Sequence, residues 1–161
     1  MWNERCGHLG WPTIRKGFFM KMLLAIDDSK FSEAAVQAVI ARHKVQGLEV
    51  RVLHAIEPPV SLMAPEVTAF VPPLESAEEA NALVAKAAGT LRSAGVNVTT
   101  AIAHGDAKSI ILDDAKTWGA DLIVLGSHGR KGLERFLVGS VSEAVLRHAH
   151  CSVEIVRLPP K

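Results

Sequence analysis

Tyrosine is absent from this chain, and cysteine occurs only as Cys6 and Cys151. Two cysteines so far apart exclude a disulfide scaffold and a cysteine-rich zinc site. They suit a reducing cytoplasm. An excess of one charge is also missing: 18 Lys and Arg stand against 17 Asp and Glu, a net +1. That balance argues against a protein that coats nucleic acid. No apolar run approaches the roughly 20 residues of a membrane span. Met22–Ile26 looks like a short signal core, but Lys21 precedes it and Asp27-Asp28 follows where a small-residue cleavage site should be. It reads as a buried strand, so neither a membrane nor a nucleic acid is expected as a partner.

What is present is 161 residues, 48% apolar and 22% charged, the profile of one domain. A domain of this size buries roughly two-thirds of its unfolded surface and needs no disulfide or metal to fold. The few aromatics are lopsided: Trp2, Trp11, Phe18 and Phe19 all precede Met20. Residues 1–20 also hold Arg5, Arg15 and Lys16 against Glu4, which leaves the remainder slightly acidic. Residues 1–19 show no clean period, and Gly7, Gly10, Pro12 and Gly17 interrupt them. Two readings fit this extension: a disordered tail, or residues upstream of a natural start at Met20. A docking arm built on its Trp residues ranks behind both.

Regular patterning begins at Lys21. Lys21–Ile26 is an apolar run of the kind buried on both faces of a parallel sheet. Asp28 and Ser29 offer caps for a helix whose apolar face is Phe31, Ala34, Ala35, Ala38 and Val39, with Gly47 as its stop. Leu48–Ile56 reads as a strand. Residues 57–73 then hold five of the eight prolines, an unusual loop for a compact domain and one that is usually functional or mobile. Ser76 and Glu79 form a capping-box pair before a second helix, which Gly95 ends. Val96–Ala103 reads as a strand. Asp106 caps a third helix, faced by Ala107, Ile110, Ile111, Ala115 and Trp118 and closed by Gly119. Asp121–Leu125 is the fourth strand, followed by a glycine-rich loop to Gly139. Ser140 and Glu143 form a second capping-box pair opening a helix to about Ala149, and Ser152–Arg157 is the last strand. Strict alternation of strand and helix predicts one open five-stranded parallel sheet with helices on both faces, a doubly wound, Rossmann-like domain over residues 20–161. Ligands of such sheets bind beyond the carboxyl ends of the strands, at the switch point.

Two strand ends carry the chemistry. After the first comes Ile26-Asp27-Asp28-Ser29. Asp28 or Ser29 caps the helix, which leaves Asp27 without a structural task and well placed to bond a ribose hydroxyl or a base. After the fourth comes Gly126-Ser127-His128-Gly129, nine residues, then Gly139-Ser140. Glycines let a ligand approach the backbone, and a helix N-terminus favours an anion. Arg130, Lys131 and Arg135 outweigh Glu134 between them. This describes a phosphate cradle; the plainer reading is a glycine-rich turn with an ordinary Ser140 cap. G-x-x-x-x-G-K-[ST] is absent, and no G-x-G-x-x-G follows the first strand, so neither a Walker-type loop nor a dinucleotide fold is expected. His128 reads as a loop histidine before it reads as a catalyst. His148, His150 and Cys151 straddle a helix end and a strand start, a spacing that sends their side chains apart rather than to one metal.

The G-x-x-G, nine residues, G-[ST] arrangement after Asp-Leu-Ile-Val-Leu resembles the universal stress protein family. The resemblance extends to Leu24-Ala25-Ile26-Asp27-Asp28-Ser29, to Val52-Leu53-His54-Ala55 and to Cys151–Val156, in the same element order over about residues 20–158. It implies the strand order 3-2-1-4-5 and, from the full glycine pattern, the ATP-binding branch, with ATP and Mg2+ as ligands. Carried over position by position, Asp27 contacts the adenosine, Ala25 and Ile26 line the base pocket, and the backbone of Ala55 reads the adenine edge. Leu125 packs on the nucleotide, and Gly126, Gly129, Gly139, Ser140, Val141 and Ser142 contact ribose and phosphate. Arg130 joins this set as the first base of the loop. Asp28 stands where the family often has glycine, and Ser152 where it often has proline. The resemblance further implies a cytoplasmic homodimer joined through the last strand, consistent with Val153, Ile155 and the following Arg157-Leu158-Pro159-Pro160. Two functions follow: a nucleotide-dependent regulator with slow or no hydrolysis, or a phosphohydrolase or nucleotidyl transferase on a related fold. The missing metal-ligand cluster, Ser-His-Asp order and general base favour the regulator.

Overall fold

A computed structural model describes residues 20–41, 47–58, 75–129 and 138–158. The extension 1–19, most of the proline-rich loop and the basic stretch from Arg130 lie outside the described residues. The elements are β1 (Met20–Ile26), α1 (Lys30–Ala41), β2 (Leu48–Ile56), α2 (Ala77–Ser93), β3 (Asn97–His104), α3 (Ala107–Trp118), β4 (Leu122–Gly126), α4 (Ser140–His148) and β5 (Ser152–Val156). They form one five-stranded sheet in the order β3-β2-β1-β4-β5, with every pair parallel. This is the Rossmann-like architecture expected from the alternation.

β1 explains the layering. Residues Met22–Ile26 are all buried, so the strand must be covered on both faces. Met22, Leu24 and Ile26 enter a core with Ala35, Val36 and Val39 of α1 and Val84, Ala88 and Leu91 of α2. Leu23 and Ala25 point the other way, to Ile111 and Ala115 of α3 and Val145 of α4. Two helices therefore cover each face. The first two crossovers step outward from β1 to β2 and β3, the third returns to β4 on the other side of β1, and the fourth steps on to β5, so the winding reverses between β1 and β4. That gap at the carboxyl edge is the switch point.

Most end signals act as their chemistry requires. Ser76 and Glu79 make both bonds of the capping box, 3.1 Å from Glu79 N–H to Ser76 Oγ and 2.8 Å from Ser76 N–H to Glu79 Oε2. Gly119 closes α3 at φ 72°, where a Cβ would be strained. Asp106 caps α3 by accepting from Ser109 N–H at 3.1 Å and from the Ser109 hydroxyl at 2.6 Å.

Ser140 departs from the expected pattern. It is the first residue of α4, not its cap. Gly139 takes the cap position in extended conformation, because its N–H is already held by Ser127 O at 2.7 Å and its carbonyl accepts Glu143 N–H at 2.8 Å. Glycine has no side chain to offer, so the first turn of α4 carries no side-chain cap. Smaller shifts occur elsewhere: β3 starts at Asn97, β4 ends at Gly126 and β5 ends at Val156.

The cap on α3 gives a pH-dependent prediction. The Ser109 hydroxyl holds the Asp106 carboxyl below its ordinary value of 3.8, more than burial raises it, and Ser109 N–H and Lys108 add to the lowering. A depressed pKa contributes stability above the unfolded value that is lost as pH falls through the folded one. Asp106→Ala should cost about 1 kcal/mol at neutral pH, and urea melts should show the difference from wild type shrinking below pH 3.8.

Candidate functional site

Asp27 is held at the end of β1 by its own turn. Its N–H donates to Ser32 Oγ at 2.9 Å, and the Ser32 hydroxyl donates back to Oδ1 at 2.6 Å. Ser29 N–H adds a third bond to Oδ1 at 3.1 Å. Ser29, not Asp28, caps α1: its Oγ accepts Ser32 N–H at 3.2 Å. Asp27 is therefore not the cap, but against expectation it has a structural task, because Oδ1 ties the turn to the start of α1. Its other oxygen, Oδ2, faces Gly129 from the end of β4, so closely that a Cβ on Gly129 would lie 2.8 Å from it. The carboxylate spans the switch point.

The loop after β4 is pinned at its root. Ser127 N–H donates to Val156 O of β5 at 2.8 Å, and Ser127 O accepts Gly139 N–H. Its buried hydroxyl lies 3.1 Å from His128 Nδ1. The His128 ring leans on Phe31 of α1, with centroids 5.1 Å apart. Gly139 packs in the same place: a Cβ there would lie 3.3 Å from His128 Cα and from Ser127 O. Residues 127–129 and 139 therefore form one close-packed knot, with the basic residues of the loop outside the described segment. The uncapped first turn of α4 opens beside it, Ser140 exposed and Val141 half-buried. Free first-turn N–H groups and the helix dipole favour an anion there.

The remaining expected site residues are placed as follows. Ala25 and Leu125 are register neighbours whose side chains enter the core under α3 and α4. Ile26 lies opposite His54 at the last step of the β1–β2 register. β2 continues to Ile56 against β3, so half-buried Ala55 lies past the end of the β1–β2 register. The Ser142 hydroxyl is buried and donates to Gly126 O at 2.8 Å. Gly126 has a packing reason of its own: a Cβ there would lie 2.7 Å from Phe31 Cβ and 2.8 Å from Phe31 C. Arg130 lies outside the described residues.

Ser32, Ser127 and Phe31 take parts in the site that their residue types do not announce. Ser32 occupies an apolar face of α1, where a serine looks incidental; its spacing of five from Asp27 was the available signal. At the far end of the domain, burial pushes the Cys151 thiol up, and the charge of Asp121 adds to the rise despite the residue's own backbone bond. His148 and His150 beside it are exposed.

Residues 19–157 match the family described as the Universal stress protein family. The chain belongs to that family. Its relatives include the universal stress protein MJ0531 of Methanocaldococcus jannaschii, 34% identical over 154 residues that cover 92% of this chain and 89% of the relative. Among solved structures, the protein MJ0577 superposes with a TM-score of 0.72 at 26% identity, covering 89% of this chain and 99% of its own. A family member from Arabidopsis thaliana, solved with AMP bound, has a TM-score of 0.59 at 20% identity, over 87% of this chain and 92% of its own. That last likeness shows a shared fold.

Gly126 offers a test of the site's framework. Gly126→Ala should destabilise the domain by about 1–3 kcal/mol, since α1 must move to admit the methyl group. A denaturant midpoint unchanged from wild type would mean that α1 does not press on β4 as described.

Proposed function

We propose that this universal stress protein binds an adenine nucleotide, ATP with Mg2+, across the ends of β1 and β4. The observation that carries this is the approach of Asp27 to Gly129 beside the uncapped start of α4. An acid on one side suits ribose hydroxyls, and a glycine-opened backbone with a helix N-terminus on the other suits phosphates. The backbone at Ala25, Ile26 and Ala55 would face the base, since the Ala25 and Ile26 side chains enter opposite cores. Gly129, Gly139, Ser140, Val141 and the backbone of Ser142 serve the phosphates, with Arg130 adding charge and Gly126 and Leu125 shaping the floor. Mg2+ would be held by phosphate oxygens, with Asp27 as the protein's hard oxygen donor. The AMP-bound Arabidopsis relative supports an adenine nucleotide as the ligand class.

The nucleotide acts as a signal more than a substrate in this reading, with slow or no hydrolysis. His128, the one histidine in the glycine loop, is engaged with Ser127 and Phe31, which suits a structural part. Occupancy would change contacts with a partner or with a second copy of the chain. The functional unit is residues 20–161, in the cytoplasm, where two separate cysteines stay reduced.

Self-association would run through β5. It is an edge strand of the sheet, and Leu146 of neighbouring α4 is 54% exposed, the one large hydrophobic so exposed among the described residues. An edge strand beside such a residue is a ready template for pairing.

Two measurements test these readings. By titration calorimetry, Asp27→Ala and Gly129→Val should each weaken ATP binding about tenfold or more while the fold survives, through loss of a charge-assisted hydrogen bond and through a blocked approach. Unchanged affinity in both would show that this crevice is not the site. Sedimentation at micromolar concentration should give a dimer, and Ile155→Lys a monomer; a wild-type monomer contradicts the β5 interface.

A further inference from the structure

His54 is a polar ring, about 1% exposed, in a strand whose neighbours Leu53 and Ile56 are apolar and buried. Burying an imidazole there costs free energy that an apolar side chain would not, so its bonds need a reason. Nδ1 lies 2.8 Å from the carbonyl oxygen of Ile26, and Nε2 lies 2.7 Å from Glu75 Oε1. A carbonyl only accepts, so Nδ1 carries a proton. A bare ring nitrogen and a carboxylate oxygen offer only lone pairs to each other. The contact at Nε2 therefore requires a second proton shared between His54 and Glu75.

The target of the first bond matters. Ile26 C=O and Asp27 N–H belong to one planar peptide unit. Its carbonyl is held by His54 of β2, and its N–H is held by Ser32 of α1 at 2.9 Å. The peptide that leads into Asp27 is thus clamped from both sides. The second bond anchors the clamp: Glu75 immediately precedes Ser76, whose capping box fixes the start of α2.

We propose that His54 and Glu75 form a proton-sharing bridge that positions the Ile26–Asp27 peptide for nucleotide binding. Both are positioning residues, and this role rests on the adenine-nucleotide reading above. Breaking the bridge at Glu75 leaves the imidazole free to turn, loosens the hold on Ile26 O and weakens binding without abolishing it. Gln at position 75 can donate its amide N–H to a bare Nε2, so it keeps the ring in place with one proton fewer.

The test uses the full chain with 15N-labelled histidine and ATP–Mg2+ as the ligand. Wild type should show two hydrogen-bonded protons at the bridge by proton NMR, and Glu75→Ala only the one on Nδ1. By calorimetry, Glu75→Ala should bind ATP about tenfold more weakly, the worth of one buried hydrogen bond, and Glu75→Gln should return to within about threefold of wild type. His54→Asn, which retains a donor for Ile26 O, should bind more tightly than His54→Ala; circular dichroism melts confirm that each is folded. Equal proton counts in wild type and Glu75→Ala, or a Gln variant no better than Ala, overturns the proposal. A wild-type chain that binds no adenine nucleotide overturns instead the reading on which it rests, and the NMR count still decides the bridge.

Discussion

The carboxyl edge of this sheet depends on how closely α1 can approach β4. Gly126 allows it: with no Cβ, the end of β4 lies directly under the backbone of Phe31. Any larger residue would lift the first turn of α1 away from the strand. That turn contains Ser29 and Ser32, the two residues that fix Asp27. Phe31 itself supports the ring of His128 on the far side of the crevice. One missing methyl group thus lets a helix from the first crossover touch the loop from the last, across the point where the winding reverses.

From that contact outward, the site is built by satisfying backbone groups at strand ends. Parallel strands leave their terminal carbonyls and N–H groups exposed at the edge, and buried ones must find partners. Ser127 closes β4 onto β5 and receives Gly139. Ser142 closes α4 onto Gly126 O, and His54 closes β2 onto Ile26 O. Side chains with other work in an ordinary domain are used here as local clips. At the start of α4, by contrast, Gly139 supplies no side-chain cap. An anion completes such a helix end, which connects the packing to the proposed function.

The layered fold was legible in the sequence because period and punctuation agree. β1 reads as a run buried on both faces, and it is; Ser76 with Glu79, Asp106 and Gly119 mark helix ends by chemistry that acts within four residues. That Asp27 and Gly129 meet at the candidate site was legible for the same reason, since each follows a strand. What could not be read were roles set by distant contacts. Ser140 carries the pattern of a cap, but a bond between Gly139 and Ser127 moves the cap one residue earlier. Gly126 reads as room for a ligand, yet its tightest neighbour is Phe31, ninety-five positions earlier in the chain. His54 reads as one residue of a strand, and only the fold shows that it reaches the peptide before Asp27.

The proposed function requires an adenine nucleotide in the crevice between the ends of β1 and β4. A crystal structure of the full chain grown with ATP and Mg2+ tests it most directly. The expected result is a nucleotide with its base beside Ala25, Ile26 and Ala55, its ribose at Asp27 and its phosphates over Gly129, Gly139 and the first turn of α4. A nucleotide bound elsewhere, or a crevice still closed by Asp27 against Gly129 under saturating ATP, would contradict it.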